Sequence, residues 1–327
     1  MFGPYTPTLL AVLTKSGMLN LNTRGVQRVR GKTAVVTGAA SGIGEAIARA
    51  CVERGCTRLL LADISWSHNT YLANELEKKG CNVLQMEVDV GEKAKIQEMH
   101  DACIETFGAP HLLFNNAGTG MPGLLSATDE SLERSFDINF WSVAHATRIF
   151  VPTMEAAHGH LKEPCHIMNT ASLAGISEGC GLYGITKHAV VALTESVASE
   201  LAWRKSNVEV STLCPSYVKT NVVRTTQNSK LNAQADGDEG RSLGKDEMEQ
   251  VQEQLSLLPK LIENGQTPDE VAEAAFDGIA GGKRYVFPNL PHALAALSDR
   301  NEQFRAGGYT AGFERQMETI ISDELEK

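Results

Sequence analysis

Tyr183 and Lys187 are the residues of this sequence whose types and spacing most directly suggest chemistry. Four positions apart, they would share one face of a helix. The pKa of a free tyrosine is about 10, too high for the phenolate to form readily near neutrality. A nearby ammonium stabilises the phenolate and lowers that pKa, so the pair predicts a tyrosine that transfers protons. Ser172 follows an apolar run and could hydrogen-bond to the oxygen that exchanges the proton.

Each of these residues also has a plainer interpretation. A Tyr-x-x-x-Lys pair is commonly part of an exposed helix, and Ser172 could be a turn residue at the end of a strand. The chemical interpretation therefore depends on what the rest of the chain would place beside them.

A glycine-rich turn provides such a neighbour. Gly38, Gly42 and Gly44 lie between an apolar run at 33–36 and a segment with helical character. Glycines let backbone N–H groups approach a phosphate, and the positive end of the helix dipole favours its charge. A second apolar run ends in Asp63, whose carboxylate could accept both hydroxyls of an adenosine ribose and would repel a 2′-phosphate. The pattern predicts a dinucleotide site that prefers NAD to NADP.

This turn and four later segments, in the same order, resemble the short-chain dehydrogenase/reductase family over about residues 31 to 290. The matching segments are Thr37-Gly38-x-x-x-Gly42-x-Gly44, Asn115-Asn116-Ala117-Gly118, Asn139, Ser172 and Tyr183-x-x-x-Lys187. The resemblance implies an NAD-dependent oxidoreductase that interconverts a secondary alcohol and its ketone by hydride transfer. The tyrosine would then serve as acid and base.

The resemblance also implies a role for each matching position. Catalysis falls to Asn139, Ser172, Tyr183 and Lys187; the lysine would also hold the nicotinamide ribose, and the asparagine would keep a water in the proton relay. The expected cofactor-binding residues are Gly38, Ser41, Gly42, Ile43, Gly44, Asp63, Asp89, Val90, Asn116, Ala117, Gly118, Tyr183, Lys187, Pro215, Ser216, Val218 and Thr220. The expected cofactor is NAD, and no metal is expected.

Two features depart from the family pattern. The separation of Ser172 from Tyr183 is shorter than usual, and the shortening falls in residues 177–181. We expect it to reshape the substrate pocket more than the chemistry. Ser216 stands where the family usually has glycine, and it could narrow the space beside the nicotinamide.

Strands and helices alternate along the chain, which is typical of a parallel sheet with helices on both faces. The sequence predicts an α/β, doubly wound, Rossmann-type sheet of about seven strands in a single domain, residues 31–327, after an N-terminal extension, residues 1–30. Thr267-Pro268-Asp269-Glu270 reads as a capping box that starts a helix. Residues 219–266 are polar with a late apolar patch, and such a long connection predicts a substrate lid.

The bulk composition limits the partners. A formal net charge of −10 argues against nucleic acid or an anionic membrane surface. No apolar run approaches the roughly 18 to 20 residues that span a bilayer. Seven cysteines without a Cys-x-x-Cys pair favour a reducing compartment, and we expect a cytoplasmic protein. The first 30 residues hold basic and hydroxyl side chains and no acid, so organellar targeting is the alternative.

The remaining expectations concern assembly, substrate and competing functions. The family commonly assembles through two helices, here about 131–154 and 183–203, and the second is unusually apolar, so we expect a homodimer or homotetramer. The apolar patch of the lid hints at a bulky hydrophobic alcohol or ketone. The alternatives are an NADP-dependent carbonyl reductase and a nucleotide-binding regulatory protein without turnover.

Overall fold

The computed structural model describes residues 28–66, 69, 71–120, 123–161, 163–220 and 260–306. Strands alternate with helices throughout these ranges. The strands are β1 (Thr33–Thr37), β2 (Arg58–Asp63), β3 (Asn82–Glu87), β4 (Leu112–Asn115), β5 (Cys165–Thr170), β6 (Val208–Leu213) and β7 (Tyr285–Val286). The helices are α1 (Gly42–Glu53), α2 (Leu72–Lys78), α3 (Lys93–Phe107), α4 (Asp129–Phe136), α5 (Ser142–His158), α6 (Gly181–Trp203), α7 (Pro268–Ala280) and α8 (Leu290–Ala306). Over the described part of the chain, no helix has both the length and the apolar character needed to cross a membrane.

The seven strands form one parallel sheet in the order β3-β2-β1-β4-β5-β6-β7. Val35 of β1 pairs with Leu60 of β2 on one side and with Leu113 of β4 on the other. The sheet therefore grows first in one direction from β1 and then in the other. In such sheets, a crevice for ligands opens at the carboxyl ends of the two strands where the direction reverses. The predicted doubly wound fold and single domain are confirmed.

Successive side chains of β1 supply the two hydrophobic layers of the core. Ala34 and Val36 pack with residues of α1, α2 and α7 on one face. Val35 packs with residues of α3, α5 and α6 on the opposite face. Because neighbouring side chains on a strand point to opposite faces, both sides of the sheet are covered by helices.

The long helix predicted over residues 131–154 is divided into three parts. Between α4 and α5 lies a π-helical turn, Asp137–Trp141, and Asn139 is at its centre. Such turns insert one residue into the helical hydrogen-bond pattern and occur frequently at functional sites. Asn139 is therefore buried within an interruption of the helix and not within a regular stretch of it.

The expectation that α6 carries surplus apolar surface for assembly was wrong for most of its residues. Val190 and Leu201 are buried, Val197 and Ala198 pack into the core beside α3 and α5, and Leu193 packs in a third cluster beneath α8. The helix serves two hydrophobic clusters of its own chain. The homo-oligomer stays a prediction, as does the cytoplasmic location.

Of the last two helices, the sequence predicts the start of α7 but does not predict α8. The capping box at Thr267 is confirmed: its hydroxyl accepts from Glu270 N, and the Glu270 carboxylate accepts from Thr267 N. Helix α8 was not predicted. Its buried apolar residues, Ala293 and Ala296, are small, while leucines such as Leu294 are exposed, so its sequence does not show the usual apolar face.

Most of the predicted lid and nearly all of the N-terminal extension lie outside the described residues. The two ends of the lid segment are described, and they meet. Val218 and Gln266 form a parallel bridge, in which Lys219 N donates to Gln266 O at 2.9 Å and Gln266 N donates to Tyr217 O at 3.0 Å. The late apolar patch of this segment consists of Leu255, Leu257, Leu258, Leu261 and Ile262, and of these Leu261 is buried in the fold.

Candidate active site

The turn between β1 and α1 requires glycine for two reasons: a left-handed backbone at some positions and a lack of space for a Cβ at another. Gly38 and Gly42 have φ angles of +64° and +56°, in the left-handed region that side chains disfavour. Gly44 has ordinary helical geometry, but a Cβ there would collide with the carbonyl of Gly38 and lie 2.6 Å from Asn116 Nδ2. The turn is therefore packed directly against the first turn of α1 and against the end of β4.

The amino end of α1 is open. Ser41 occupies the N-cap position with extended backbone, and within the described structure its side chain caps none of the first helical amides. The first amides of an α-helix have no partners inside the helix. Gly38, Gly42 and Gly44 form a glycine cradle in front of these amides. The amides therefore offer N–H donors and a positive dipole to an anion. A Cβ on Gly42 would lie 3.0 Å from Thr220 Cγ2, which places this predicted residue beside the cradle.

Asp63 organises the same crevice. Its Oδ2 accepts a hydrogen bond from Ala40 N at 2.9 Å, and its Oδ1 accepts one from Ser65 N at 3.2 Å. A carboxylate has about four acceptor positions, and these two hydrogen bonds from described residues use two of them, which leaves capacity for the hydroxyls of a ribose. The carboxylate thus holds the glycine turn in place as well as providing acceptors, a role that the sequence did not reveal.

Asn116 and Ala117 form the far side of the crevice, and both are bound by Thr37, which was named in the glycine motif but was not among the expected site residues. Thr37 Oγ1 accepts hydrogen bonds from the backbone N of both residues, each at 3.0 Å. Asn116 Nδ2 in turn donates to Thr37 O at 3.1 Å. The carboxyl ends of β1 and β4 are therefore tied together, as a dinucleotide site between them requires. A threonine at the end of β1 was the available signal.

Asp89 is already paired in this structure. Its Oδ2 accepts from Arg134 at 2.6 Å, and its Oδ1 accepts from Gly91 N at 2.9 Å. The neighbouring predicted residue, Val90, is buried. If Asp89 contacts an adenine as the family resemblance implies, Arg134 of α4 borders the same position. No sequence pattern links these two residues.

Tyr183, Lys187 and Ser172 are brought together beneath the carboxyl end of β5. Lys187 is 3% exposed, its Nζ donates to Thr170 O at 2.9 Å and lies 5.6 Å from the centre of the Tyr183 ring. Burial lowers the pKa of Lys187 to about 8. Burial raises the pKa of Tyr183 to about 12, and a hydrogen bond with the Ser172 hydroxyl opposes that shift. The expected lowering of the tyrosine pKa is therefore outweighed by desolvation.

Asn139 is completely buried behind this group. Its Oδ1 accepts from Thr119 N at 2.9 Å, and its Nδ2 donates to Thr119 O at 3.0 Å and to Thr186 Oγ1 at 3.2 Å. Both amide hydrogens are used, so only acceptor capacity is left for a water. A Cβ on Gly118 would lie 3.2 Å from Asn139 Oδ1 and 3.3 Å from Lys187 Nζ, which shows how closely the nucleotide and catalytic residues approach.

The loop after β6 closes the site on the side of β7. Pro215 O accepts from Leu173 N at 2.8 Å, which joins this loop to the residue after Ser172. Ser216 Oγ hydrogen-bonds to His292 Nδ1 of α8 at 2.9 Å. The hydroxyl that was expected to crowd the nicotinamide is therefore engaged by α8. His292 was missed because α8 was missed.

Known proteins with similar sequences include dehydrogenases, in agreement with this geometry. The family model of the short chain dehydrogenases matches residues 32–231, and the chain belongs to that family. A 1-deoxy-11-beta-hydroxypentalenate dehydrogenase of Streptomyces avermitilis is 34% identical over 198 residues, 59% of this chain and 70% of the relative. The 3beta-hydroxysteroid dehydrogenase 2 of Eggerthella lenta is 35% identical over 198 residues, 59% of this chain and 73% of the relative.

A solved structure extends the similarity to most of the chain. A short-chain dehydrogenase/reductase from Burkholderia phymatum, crystallised in complex with NAD, shares 32% identity with a TM-score of 0.75. The match covers 86% of this chain and 97% of that protein. The chain is accordingly an NAD(P)-dependent oxidoreductase with a small-molecule substrate.

Proposed function

We propose that the protein is an NAD-dependent oxidoreductase that interconverts a secondary alcohol and its ketone. The observation that carries this proposal is the group of Ser172, Tyr183 and buried Lys187. This group lies beside a glycine cradle whose turn is hydrogen-bonded to Asp63. An open helix end fits a pyrophosphate, and a carboxylate with free acceptor positions fits an unphosphorylated ribose.

The cofactor would be held by the glycine turn, Asp63 and the segment around Asn116. When bound, its nicotinamide supplies or accepts the hydride. Ser172 orients the substrate oxygen through its hydroxyl. Tyr183 exchanges a proton with that oxygen at its phenolic OH. A raised pKa keeps this hydroxyl protonated at neutral pH, which is the form that donates to a ketone.

Oxidation of an alcohol needs the opposite protonation state of Tyr183. A charged Lys187 ammonium near the ring favours the phenolate. With the pKa of Lys187 at about 8, the lysine carries this charge at neutral pH and loses it in mild alkali. Ser172, Tyr183 and Lys187 would therefore serve both directions of the reaction, with Asn139 joining Thr119 to Thr186 of α6 behind them.

The preference for NAD rests on the charge of Asp63. A 2′-phosphate would face this carboxylate with like charge, and like charges at close range in a partly desolvated site repel strongly. The NAD complex of the Burkholderia phymatum protein is consistent with this choice.

For the substrate we propose a hydrophobic secondary alcohol, for which the named steroid dehydrogenase among the relatives gives support. The test is a panel of steroid, terpenoid, aryl and short aliphatic alcohols, assayed with NAD and with NADP by absorbance of the reduced nucleotide. We expect turnover of bulky hydrophobic alcohols with a higher kcat/KM for NAD. Equal or better use of NADP would overturn the cofactor assignment, and no turnover of any alcohol or ketone would overturn the activity.

A further inference from the structure

Arg300 of α8 makes two contacts that no part of the mechanism uses. Its NH1 donates to Ile176 O at 3.1 Å and also contacts His188 Nε2. The other ring nitrogen of His188, Nδ1, lies 2.9 Å from Gly184 O, which can only accept, so Nδ1 carries the proton. His188 therefore presents a lone pair to the guanidinium. Burial, reinforced by the positive charge of Arg300, lowers the pKa of His188 and favours this neutral form.

The two partners of Arg300 belong to the two segments that must be in register for proton transfer. Ile176 ends the short turn that begins at Ser172. His188 follows Lys187 in α6, the helix that also carries Tyr183. One guanidinium thus links the segment of the serine with the helix of the tyrosine. The covalent connection between these segments, residues 177–181, is the stretch that is shorter than usual in the family.

Packing of α8 supports this link. Ala293 and Ala296 are 1% exposed and lie in one cluster with Leu173 and Ile176. Nearer the beginning of α8, His292 hydrogen-bonds to Ser216 in the loop after β6. The helix therefore contacts the chain on both sides of the catalytic group. Its alanines share a cluster with Leu193 of α6, and its arginine adds a polar contact to the same helix.

We infer that Arg300 is a positioning residue that sets the distance between the Ser172 and Tyr183 hydroxyls by binding Ile176 O and His188 together. The inference rests on the proposed function for its kinetic consequence. Small errors in the placement of catalytic groups are costly, since a displacement of about 1 Å can reduce rates about a hundredfold. Among the described residues, the hydrogen bonds of Arg300 go to Ile176 and His188, so we place its effect on Ser172 and Tyr183 through these two residues.

The kinetic test compares Arg300→Gln with Arg305→Gln, which removes the same charge from an exposed position of the same helix. We expect Arg300→Gln to lower kcat about tenfold to a hundredfold, while the dissociation constant for NADH stays within about twofold of the wild type. Arg300→Lys keeps the charge but not the planar fork, and its kcat should fall between the two. Arg305→Gln should behave as the wild type.

The second readout does not depend on turnover. The amides of Gly175, Ile176 and Ser177 are hydrogen-bonded within the turn, so their hydrogen exchange reports its opening. With saturating NADH, exchange over residues 173–184 should be several-fold faster in Arg300→Gln than in Arg305→Gln. If the wild type turns over no substrate, the proposed function fails, and exchange still decides the role of Arg300.

Two results would overturn the inference. One is equal kcat and equal exchange in the two glutamine variants. The other is a parallel loss of kcat, NADH affinity and thermal stability in both Arg300 variants, which would mean that the arginine merely supports the fold. Should Arg300→Gln fail to fold, Arg300→Lys is measured in both assays against the same criteria.

Discussion

The nucleotide half of the sheet, β1 to β4, and the catalytic half, β5 to β7 with α6 and α8, are built in different ways. In the first half, the site presents backbone amides together with the Asp63 carboxylate, and its shape is set by glycines such as Gly38 and Gly44. In the second half, it consists of side chains, and contacts such as that of Arg300 with His188 join segments far apart in sequence.

This difference predicts how each half responds to substitution. A backbone cradle tolerates no added atom, because nothing around it can move without moving the strand or the helix. A group of side chains tolerates conservative changes in shape and fails when a hydrogen-bonding or titrating atom is removed. Three substitutions test this contrast.

The largest effect is expected for Tyr183→Phe. The ring is kept, so packing and the nucleotide cradle should survive, while the hydroxyl that exchanges the proton is lost. General acid and base groups contribute about a hundredfold to ten-thousandfold in rate. We therefore expect kcat to fall by that factor, measured by steady-state kinetics, with NADH binding by fluorescence titration unchanged.

Tyr285→Phe is the matched control for this variant, since Tyr285 of β7 also hydrogen-bonds through its hydroxyl, to Glu195 at 2.5 Å. Its kcat should match that of the wild type. Activity of Tyr183→Phe within a few-fold of the wild type would assign the proton transfer to another residue.

A smaller effect, visible in stability, is expected for Lys187→Met. Burial lowers the pKa of Lys187 from 10.5 to about 8, so between these pH values the unfolded chain binds the proton and the folded chain does not. The free energy of unfolding of the wild type should therefore rise with pH through this window, by about 3 kcal/mol relative to Lys187→Met.

Urea denaturation at pH 7.5, 9 and 10.5 measures this difference, and taking it between two proteins that both retain Tyr183 removes the opposite contribution of the tyrosine. Lys283→Met, at an exposed lysine, is the control and should show no comparable slope. A flat difference for Lys187→Met would mean that the ammonium is solvated in the folded protein.

The smallest of the three effects is expected for Gly44→Ala, which tests the cradle with a single methyl group. The added Cβ would collide with Gly38 O, and overpacking of this kind costs about 1 to 3 kcal/mol. If the strain is relieved by displacing the turn, the dissociation constant for NADH should rise about tenfold to a hundredfold. Isothermal titration calorimetry measures it directly.

Gly159→Ala serves as the control, because Gly159 has a helical φ of −63° and its Cβ would lie 3.3 Å from Asn207 Oδ1. Its NADH affinity should be that of the wild type. An unchanged affinity in Gly44→Ala would show that the cradle can yield, and the contrast between the two halves would then be lost.

The same contrast explains what the sequence could predict. The glycine turn and Asp63 were identifiable because their requirements are local: a left-handed φ, a close approach, a carboxylate at the end of the next strand. Tyr183 and Lys187 were identifiable from their spacing, but spacing does not reveal burial. The direction of the tyrosine pKa shift was therefore wrong.

The contribution of α8 could not be predicted for a related reason. Its buried apolar residues, Ala293 and Ala296, are small, and larger apolar residues such as Leu294 and Phe304 are exposed, so it lacks the pattern of an amphipathic helix. Arg300 contacts residues more than a hundred positions earlier in the chain, and no periodicity connects such partners. The sequence therefore does not predict the long-range contacts by which α8 joins the segments of the catalytic half.

The pairing of Val218 with Gln266 has a consequence for how this enzyme could diversify. The bridge holds the two ends of residues 219–266 together, so the spacing of β6 and α7 does not depend on how many residues lie between the two bridging positions. Closing a flexible loop costs only about 0.6 kcal/mol more for each doubling of its length. Insertions, deletions or whole exchanges of this segment between homologues should therefore leave the sheet intact. Recombination at this segment could then alter specificity while the catalytic framework is inherited unchanged.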